Sequence, residues 1–194
     1  MAGRTYSTVK RLIDIAAAGA GLVVLCIPLA AVAALVRATS AGPAIYWSKR
    51  VGRDNRLFWM PKFRTMRADT PEVATHLLEK PDRWVTPIGD LLRRTSLDEL
   101  PQLWSVLVGD MSLVGPRPAL FNQDDLIAQR GALGVEQLKP GVTGWAQVNG
   151  RDELPIPVKV EFDRQYLERR SLALDLEILW RTLAQVVRGR GVSH

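Results

Sequence analysis

The chain has 194 residues, 47% of them hydrophobic, and a formal net charge of +6. That length suits one domain with an appendage rather than two domains, and the basic balance points to anionic partners: nucleic acid, phosphorylated substrates or anionic lipid. A single cysteine, Cys26, excludes an internal disulfide framework, and two histidines, His76 and His194, argue against a zinc site; any metal is expected to be a hard cation such as Mg²⁺ held by carboxylates.

The first element is an uncharged, apolar run from Ile15 to Val36, long enough to meet a bilayer as helix. A cleaved signal peptide would fit the basic start (Arg4, Lys10, Arg11) and the Ala31-Val32-Ala33 triplet, but the run continues past that triplet. A single spanning helix fits the length. A re-entrant hairpin fits two further facts. Pro28 interrupts the helical hydrogen bonding inside the run. Both flanks are basic: Arg4, Lys10 and Arg11 upstream, and Arg37, Lys49, Arg50, Arg53, Arg56, Lys62, Arg64 and Arg67 downstream. Basic flanks prefer the cytoplasm, and only a chain that returns to its starting face satisfies both. The hairpin is therefore expected, bent near Pro28. Asp14 is placed to pair with Lys10 or Arg11 along the helix.

Beyond residue 37, Ala44 to Trp47 and Leu57 to Phe63 resemble strands, the second irregular or at an edge because of Pro61. Residues 68 to 86 are polar and predict loop with a short helix. Ile88 to Arg94 predicts a helix. Ser96-Leu97-Asp98-Glu99 has the form of a capping box, with Ser96 as N-cap and Glu99 reaching back. Leu100, Leu103, Trp104 and Leu107 then share one helical face. Pro140 to Arg151 predicts a glycine-punctuated loop with a short strand, and Val160 to Arg169 a helix. Leu172 to Val187 is amphipathic, with Leu172, Leu176, Leu179, Leu183 and Val186 as its apolar stripe and Arg181, Arg188 and Arg190 beside it. The expected fold is mainly α with a few short β-strands (α+β): a re-entrant membrane hairpin over residues 1–37, and a compact cytosolic catalytic domain over residues 38–194 with amphipathic surface helices.

The chemistry concentrates in residues 93 to 118. Asp98 and Glu99 follow the pair Arg93 and Arg94; Asp110 comes next, then the rigid Gly115-Pro116-Arg117-Pro118 loop. In isolation Ser-x-Asp-Glu is only a helix start. Alternating acids and arginines are poor core material, however, and suit a site that handles a metal ion and phosphate. Near a helix N-terminus with arginines beside it, Asp98 is expected to be held ionised, as a metal ligand or as a nucleophile toward phosphorus. Lys62 and Arg64, in Pro61-Lys62-Phe63-Arg64-Thr65-Met66, are either a solvated basic stretch or phosphate contacts. Trp145 and Tyr166 are expected in the core, with stacking on a base as the alternative.

These segments together resemble the bacterial sugar transferase family, the monotopic phosphoglycosyl transferases. The matching pieces are Lys10 to Asp14 before a hairpin containing Pro28; Lys62 to Met66; Arg93 to Gln102; Gly109 to Pro118; Pro140 to Arg151; and Gly191-Val192-Ser193. The resemblance covers nearly the whole chain. It implies transfer of a sugar 1-phosphate from a UDP-sugar to polyprenol (undecaprenyl) phosphate, with release of UMP, by a ping-pong route through a phosphosugar-aspartyl intermediate. It implies Asp98 as nucleophile, Glu99 as second essential acid, Mg²⁺ held by Asp98 and Glu99, and Lys62, Arg93, Arg117 and Arg151 as basic site residues. The implied setting is the cytoplasmic face of the bacterial inner membrane, with anionic lipid as a contact and no nucleic acid; a homo-oligomer is left open. The rival readings are a membrane-tethered basic binding module and a nucleotide-sugar hydrolase.

Overall fold

The computed structural model describes residues 2–71, 81–150 and 154–187, and it is mostly helical with four short strands. Helices α1 (Ala2–Val24) and α2 (Cys26–Thr39) are separated by a break at Leu25, and their axes bend by 62°. No single described helix is long and apolar enough to cross a membrane. Pro28 lies in the first turn of α2, where its missing N–H costs nothing, so the chain bends three residues before the proline.

One face of each helix is buried in the rest of the protein. From α1, Ala18 packs with Phe58, Met60, Val106 and Met111. From α2, Val36 packs with Phe63 and Leu92, joined by Leu29 and Val32. The opposite face is bare: Val23, Val24 and Ile27 are each more than 70% exposed. Polar contacts fix α1 as well. Lys10 pairs with Asp175 at 2.9 Å. Arg11 donates to the carbonyls of Val106 and Leu107. Asp14, buried, accepts the Leu113 amide at 3.0 Å. The local pairing of Asp14 with Lys10 or Arg11 thus gives way to contacts outside the helix, because Asp14 faces a backbone amide that would otherwise be buried unpaired.

Strands β1 (Ile45–Val51) and β2 (Leu57–Phe63) form an antiparallel ribbon in which Tyr46 faces Lys62 and Trp47 faces Pro61. A two-stranded ribbon has only edges, so Pro61 is accommodated. Phe58 and Met60 point to the core, while Trp47 and Trp59 are about half exposed. Arg64, just past β2, is buried and donates to the Ser40 carbonyl and hydroxyl at the end of α2.

Helix α3 (Gly89–Arg94) leads into a 3-10 turn, Leu97–Gln102, and then α4 (Leu103–Val108). The expected capping box does not form. Ser96 adopts a left-handed conformation (φ 56°) with no side-chain cap bond. The Glu99 side chain turns instead to two cations, Lys62 and Arg117. Pro101 cannot donate to Leu97, which favours a tight 3-10 path over an α-helix there. The apolar face of α4 also differs from expectation: Val106 is buried with Leu103 and Leu107 beside it, and Trp104 is half exposed.

Strand β3 (Ser112–Val114) runs parallel to β4 (Gly141–Thr143), a pairing the loop-like sequence did not suggest. Glycines make it possible: a Cβ on Gly141 would sit 2.1 Å from the Gly115 nitrogen. Helices α5 (Asp124–Ala132), α6 (Trp145–Val148), α7 (Ile156–Arg169) and α8 (Leu172–Val187) complete the fold. Of the apolar stripe read on α8, Leu179 borders the core. Leu174 and Ile178 are buried, while Leu176 and Leu183 are more than half exposed together with Trp180. Tyr166 is buried in the core, and its hydroxyl donates to Asp175 at 2.6 Å. Trp145 borders that core and lies beneath the Arg181 guanidinium.

Candidate active site

Strand β2 and the 3-10 turn pack together, and that contact assembles the charged site. Lys62 projects from β2 and donates to Glu99 Oε1 at 2.7 Å. Arg117, on the proline-flanked loop after β3, grips the same carboxylate: its Nη2 lies 2.9 Å from Oε1 and its Nη1 3.4 Å from Oε2. Glu99 is thus clamped between two cations. Its carboxyl is held far below the usual range, because Arg117 and Lys62 overcome the opposing penalty of burial. Burial pushes the Lys62 ammonium below its ordinary range, with Glu99 partly opposing this.

Asp98 precedes Glu99 and is 8% exposed. Burial pushes its carboxyl up to about 6; the Lys62, Arg117 and Arg93 charges oppose the rise, and Glu99 adds to it. The arginines expected to favour the ionised form do act on Asp98, and burial works against them. Asp98 is buried beside Glu99, whose carboxyl is held low, on a 3-10 turn too short to offer a strong dipole. Arg93, at the end of α3, donates to Thr65 Oγ1 at 3.1 Å, and burial lowers its pKa.

Five of the expected site residues therefore converge: Lys62, Arg93, Asp98, Glu99 and Arg117. Arg151 lies outside the described residues, as do Arg188, Arg190 and the Gly191-Val192-Ser193 segment. Asp110 is exposed beyond the far end of α4, where it faces Lys139. Arg64 serves the end of α2 and not the charged site. Two contributors escaped the sequence reading. Thr65 steadies Arg93, and Arg50 stands close enough to Lys62 to depress its pKa further. Arg50 was visible only as one of a run of cations, and β-register was needed to turn it toward Lys62.

Among the described residues, no three His, Cys, Asp or Glu side chains form a metal cage. The site supplies two acids, and both Glu99 oxygens are engaged by cations. Mg²⁺ commonly binds through one or two carboxylates, with water and substrate phosphate completing its shell. The donor set therefore fits a Mg²⁺ held chiefly by Asp98 together with a bound diphosphate.

Comparison with known proteins places the chain in a family. Residues 5–189 match the family model for bacterial sugar transferases. The chain is 40% identical over 185 residues to the uncharacterized sugar transferase EpsL of Bacillus subtilis, covering 95% of this chain and 90% of that protein. It is 38% identical to the UDP-glucose:undecaprenyl-phosphate glucose-1-phosphate transferase of Escherichia coli, covering 90% of this chain and 39% of that protein. It is 42% identical to the undecaprenyl-phosphate galactose phosphotransferase of Salmonella typhimurium, covering 77% of this chain and 34% of that protein. The chain thus matches nearly the full length of the Bacillus protein but only a third to two fifths of the two enterobacterial ones, and it belongs to the bacterial sugar transferase family.

Proposed function

We propose that the chain transfers a sugar 1-phosphate from a UDP-sugar to polyprenol (undecaprenyl) phosphate and releases UMP, as the first membrane step of a bacterial glycoconjugate pathway. The observation that carries this reading is the pairing of a buried carboxylate, Asp98, which has no ion pair among the described residues, with a carboxylate locked between cations, Glu99. A site built only to bind anions gains nothing from burying an acid among its cations. A site that attacks phosphorus needs both a nucleophile and positive charge to hold the diphosphate.

In this mechanism an Asp98 carboxylate oxygen forms a bond to the β-phosphorus. The bond from that phosphorus to the bridging oxygen breaks, and UMP leaves with the electron pair. The phosphosugar-aspartyl enzyme then meets polyprenol phosphate. An oxygen of the lipid phosphate attacks the same phosphorus, and the aspartyl oxygen leaves, restoring Asp98. Lys62, Arg93 and Arg117 bind and orient the diphosphate, with Arg151 assigned to the same role. Glu99 keeps Lys62 and Arg117 apart and aimed at one spot. A bound Mg²⁺, held by Asp98 with Glu99 near it, would neutralise phosphate charge.

The membrane arrangement belongs to the same proposal. Residues 1–37 would lie in the bilayer as a re-entrant hairpin with both ends at the cytoplasmic face, and residues 38–194 would form the catalytic domain against it. The 62° bend and the bare outer faces of α1 and α2 support this. Water would meet Val23, Val24 and Ile27 at a cost of about 25 cal/mol per Å² of apolar surface, which lipid removes. The basic flanks would meet anionic headgroups.

The test is a radiochemical assay with a panel of UDP-sugars, Mg²⁺ and undecaprenyl phosphate. UMP release coupled to formation of a lipid-linked sugar is the expected result. Binding without UMP release would indicate an anion-binding module, and sustained UMP release without lipid would indicate a hydrolase.

A further inference from the structure

We infer that Arg130, seated on Asp163, is the positioning residue that sets the reach of Arg117. Three consecutive carbonyls of the Gly115-Pro116-Arg117-Pro118 loop are each taken by a different element. The Pro116 carbonyl accepts the Gly141 amide at 2.8 Å. The Arg117 carbonyl accepts Arg130 Nη1 at 2.9 Å. The Pro118 carbonyl accepts Arg50 Nη1 at 3.1 Å. Pro116 and Pro118 have no N–H to donate, so carbonyls carry most of the loop's anchorage. The middle one belongs to the residue whose guanidinium clamps Glu99.

Arg130 is held firmly enough for this task. It lies in the last turn of α5, and its Nε and Nη2 both donate to Asp163 Oδ2, at 2.9 and 2.7 Å. Asp163, in the middle of α7, is 1% exposed. A buried pair of this kind is weak evidence for stability, because desolvation offsets much of its attraction. What it does fix is direction: the guanidinium fork points one edge at Asp163 and leaves Nη1 for the Arg117 carbonyl. Arg130 contacts no other member of the charged site among the described residues, so its effect on chemistry must pass through Arg117.

This inference rests on the reading of Arg117 as a diphosphate contact, and a double-mutant cycle separates the two. The variants are Arg117→Ala, Arg130→Lys and their combination, in the full chain purified in detergent. The readouts are UDP affinity, by titration calorimetry, and KM against kcat for a UDP-sugar that supports turnover. Arg130→Lys keeps a charge on Asp163 but cannot span both partners. It is expected to weaken UDP binding and raise KM on the order of tenfold, the scale of one charge-assisted hydrogen bond, with kcat changed much less. In the Arg117→Ala background the same substitution is expected to change UDP affinity less than twofold, because the residue it positions is gone. An undiminished loss in that background, or unchanged UDP affinity in folded Arg130→Lys, would overturn the inference. The paired variant Arg130→Gln with Asp163→Asn, which removes both charges together, runs the same cycle if Arg130→Lys does not fold. Absence of turnover with every UDP-sugar would defeat the transferase reading, while the UDP-binding cycle still decides the role of Arg130.

Discussion

Lys62 and Glu99 form a 2.7 Å ion pair in which each side chain is at least four-fifths buried. One partner comes from a strand and the other from a 3-10 turn 37 residues later. The pair therefore joins the two halves of the site and fixes the charge beside Asp98. Removing Glu99 leaves Lys62 and Arg117 without their shared counter-charge. Glu99→Gln is expected to lower turnover on the order of 10²-fold, the scale seen when one preorganised electrostatic element is lost. The same change takes away a negative neighbour that raises the Asp98 pKa. The residual activity should thus show its acid limb at lower pH than the wild type. An unmoved acid limb in a folded variant would show that the two acids do not interact.

The pH dependence of the wild type follows from Asp98. Its carboxyl, ordinarily near 3.8, is pushed up to about 6, and only its ionised form attacks phosphorus. UMP release in the lipid-free half-reaction should fall as pH drops through about 6, approaching tenfold per pH unit below it. Stability runs the other way. A carboxyl whose folded pKa is raised favours folding below its unfolded value, and that contribution is lost as pH rises through about 6. A rise from 3.8 to about 6 corresponds to an upper bound of roughly 3 kcal/mol. Asp98→Asn should therefore melt at higher temperature than the wild type at pH 8, and show little difference at pH 4. Equal melting points at pH 8 would mean that Asp98 is not held against its charge.

Arginines in the same stretch of sequence should behave unequally. Arg117 clamps Glu99, while Arg94, next to Arg93 in the chain, is 63% exposed and pairs with Asp90 one turn away. Arg117→Ala is expected to lower kcat/KM by 10²-fold or more. Arg94→Ala should stay within about twofold of the wild type, as exposed pairs of this kind contribute little. Similar losses in both would mean that α3 presents Arg94 to substrate.

The α1–α2 hairpin predicts a topology. Single cysteines placed near residues 5 and 45, in a Cys26→Ala background, should both be labelled from the cytoplasmic side by a membrane-impermeant maleimide. Labelling of the two sites from opposite sides would identify a spanning segment and remove the re-entrant reading.

Much of this was legible in the sequence for physical reasons. The apolar run with Pro28 announced a broken helix, and the dense acids and arginines between Arg93 and Pro118 announced the site. What stayed hidden depends on long-range partners. The capping-box pattern at Ser96 is a local preference, and Glu99 gives it up because Lys62 and Arg117 offer ionic partners in a buried setting. The stripe on α8 showed that a helix has two faces but not which is inward; contacts of Leu174 and Ile178 with Val114 and Tyr166 decide that. The parallel pairing of Ser112 with Gly141 was invisible, because three-residue strands carry no readable period. Asp110 looked like a third site acid by proximity in sequence, yet α4 carries it to the opposite end.

The covalent step gives the sharpest test. Asp98 is the site's buried acid with no ion pair among the described residues, and Glu99 beside it is already engaged. The proposed chemistry requires an acyl-phosphate bond on Asp98 between the two half-reactions. Enzyme incubated with its UDP-sugar and Mg²⁺, without lipid, should release UMP up to one equivalent and gain a hexose-phosphate mass on the peptide bearing Asp98. Adding undecaprenyl phosphate should discharge the adduct and restore multiple turnover. Asp98→Asn should abolish both the burst and the adduct, because an amide is a poor nucleophile and cannot offset metal charge. Glu99→Gln should slow the burst while leaving the adduct, when it forms, on Asp98. If UMP appears only when lipid is present and no adduct can be trapped, transfer occurs directly in a ternary complex. Asp98 would then be a ligand for the metal and the diphosphate site, and the clamp on Glu99 would serve binding alone.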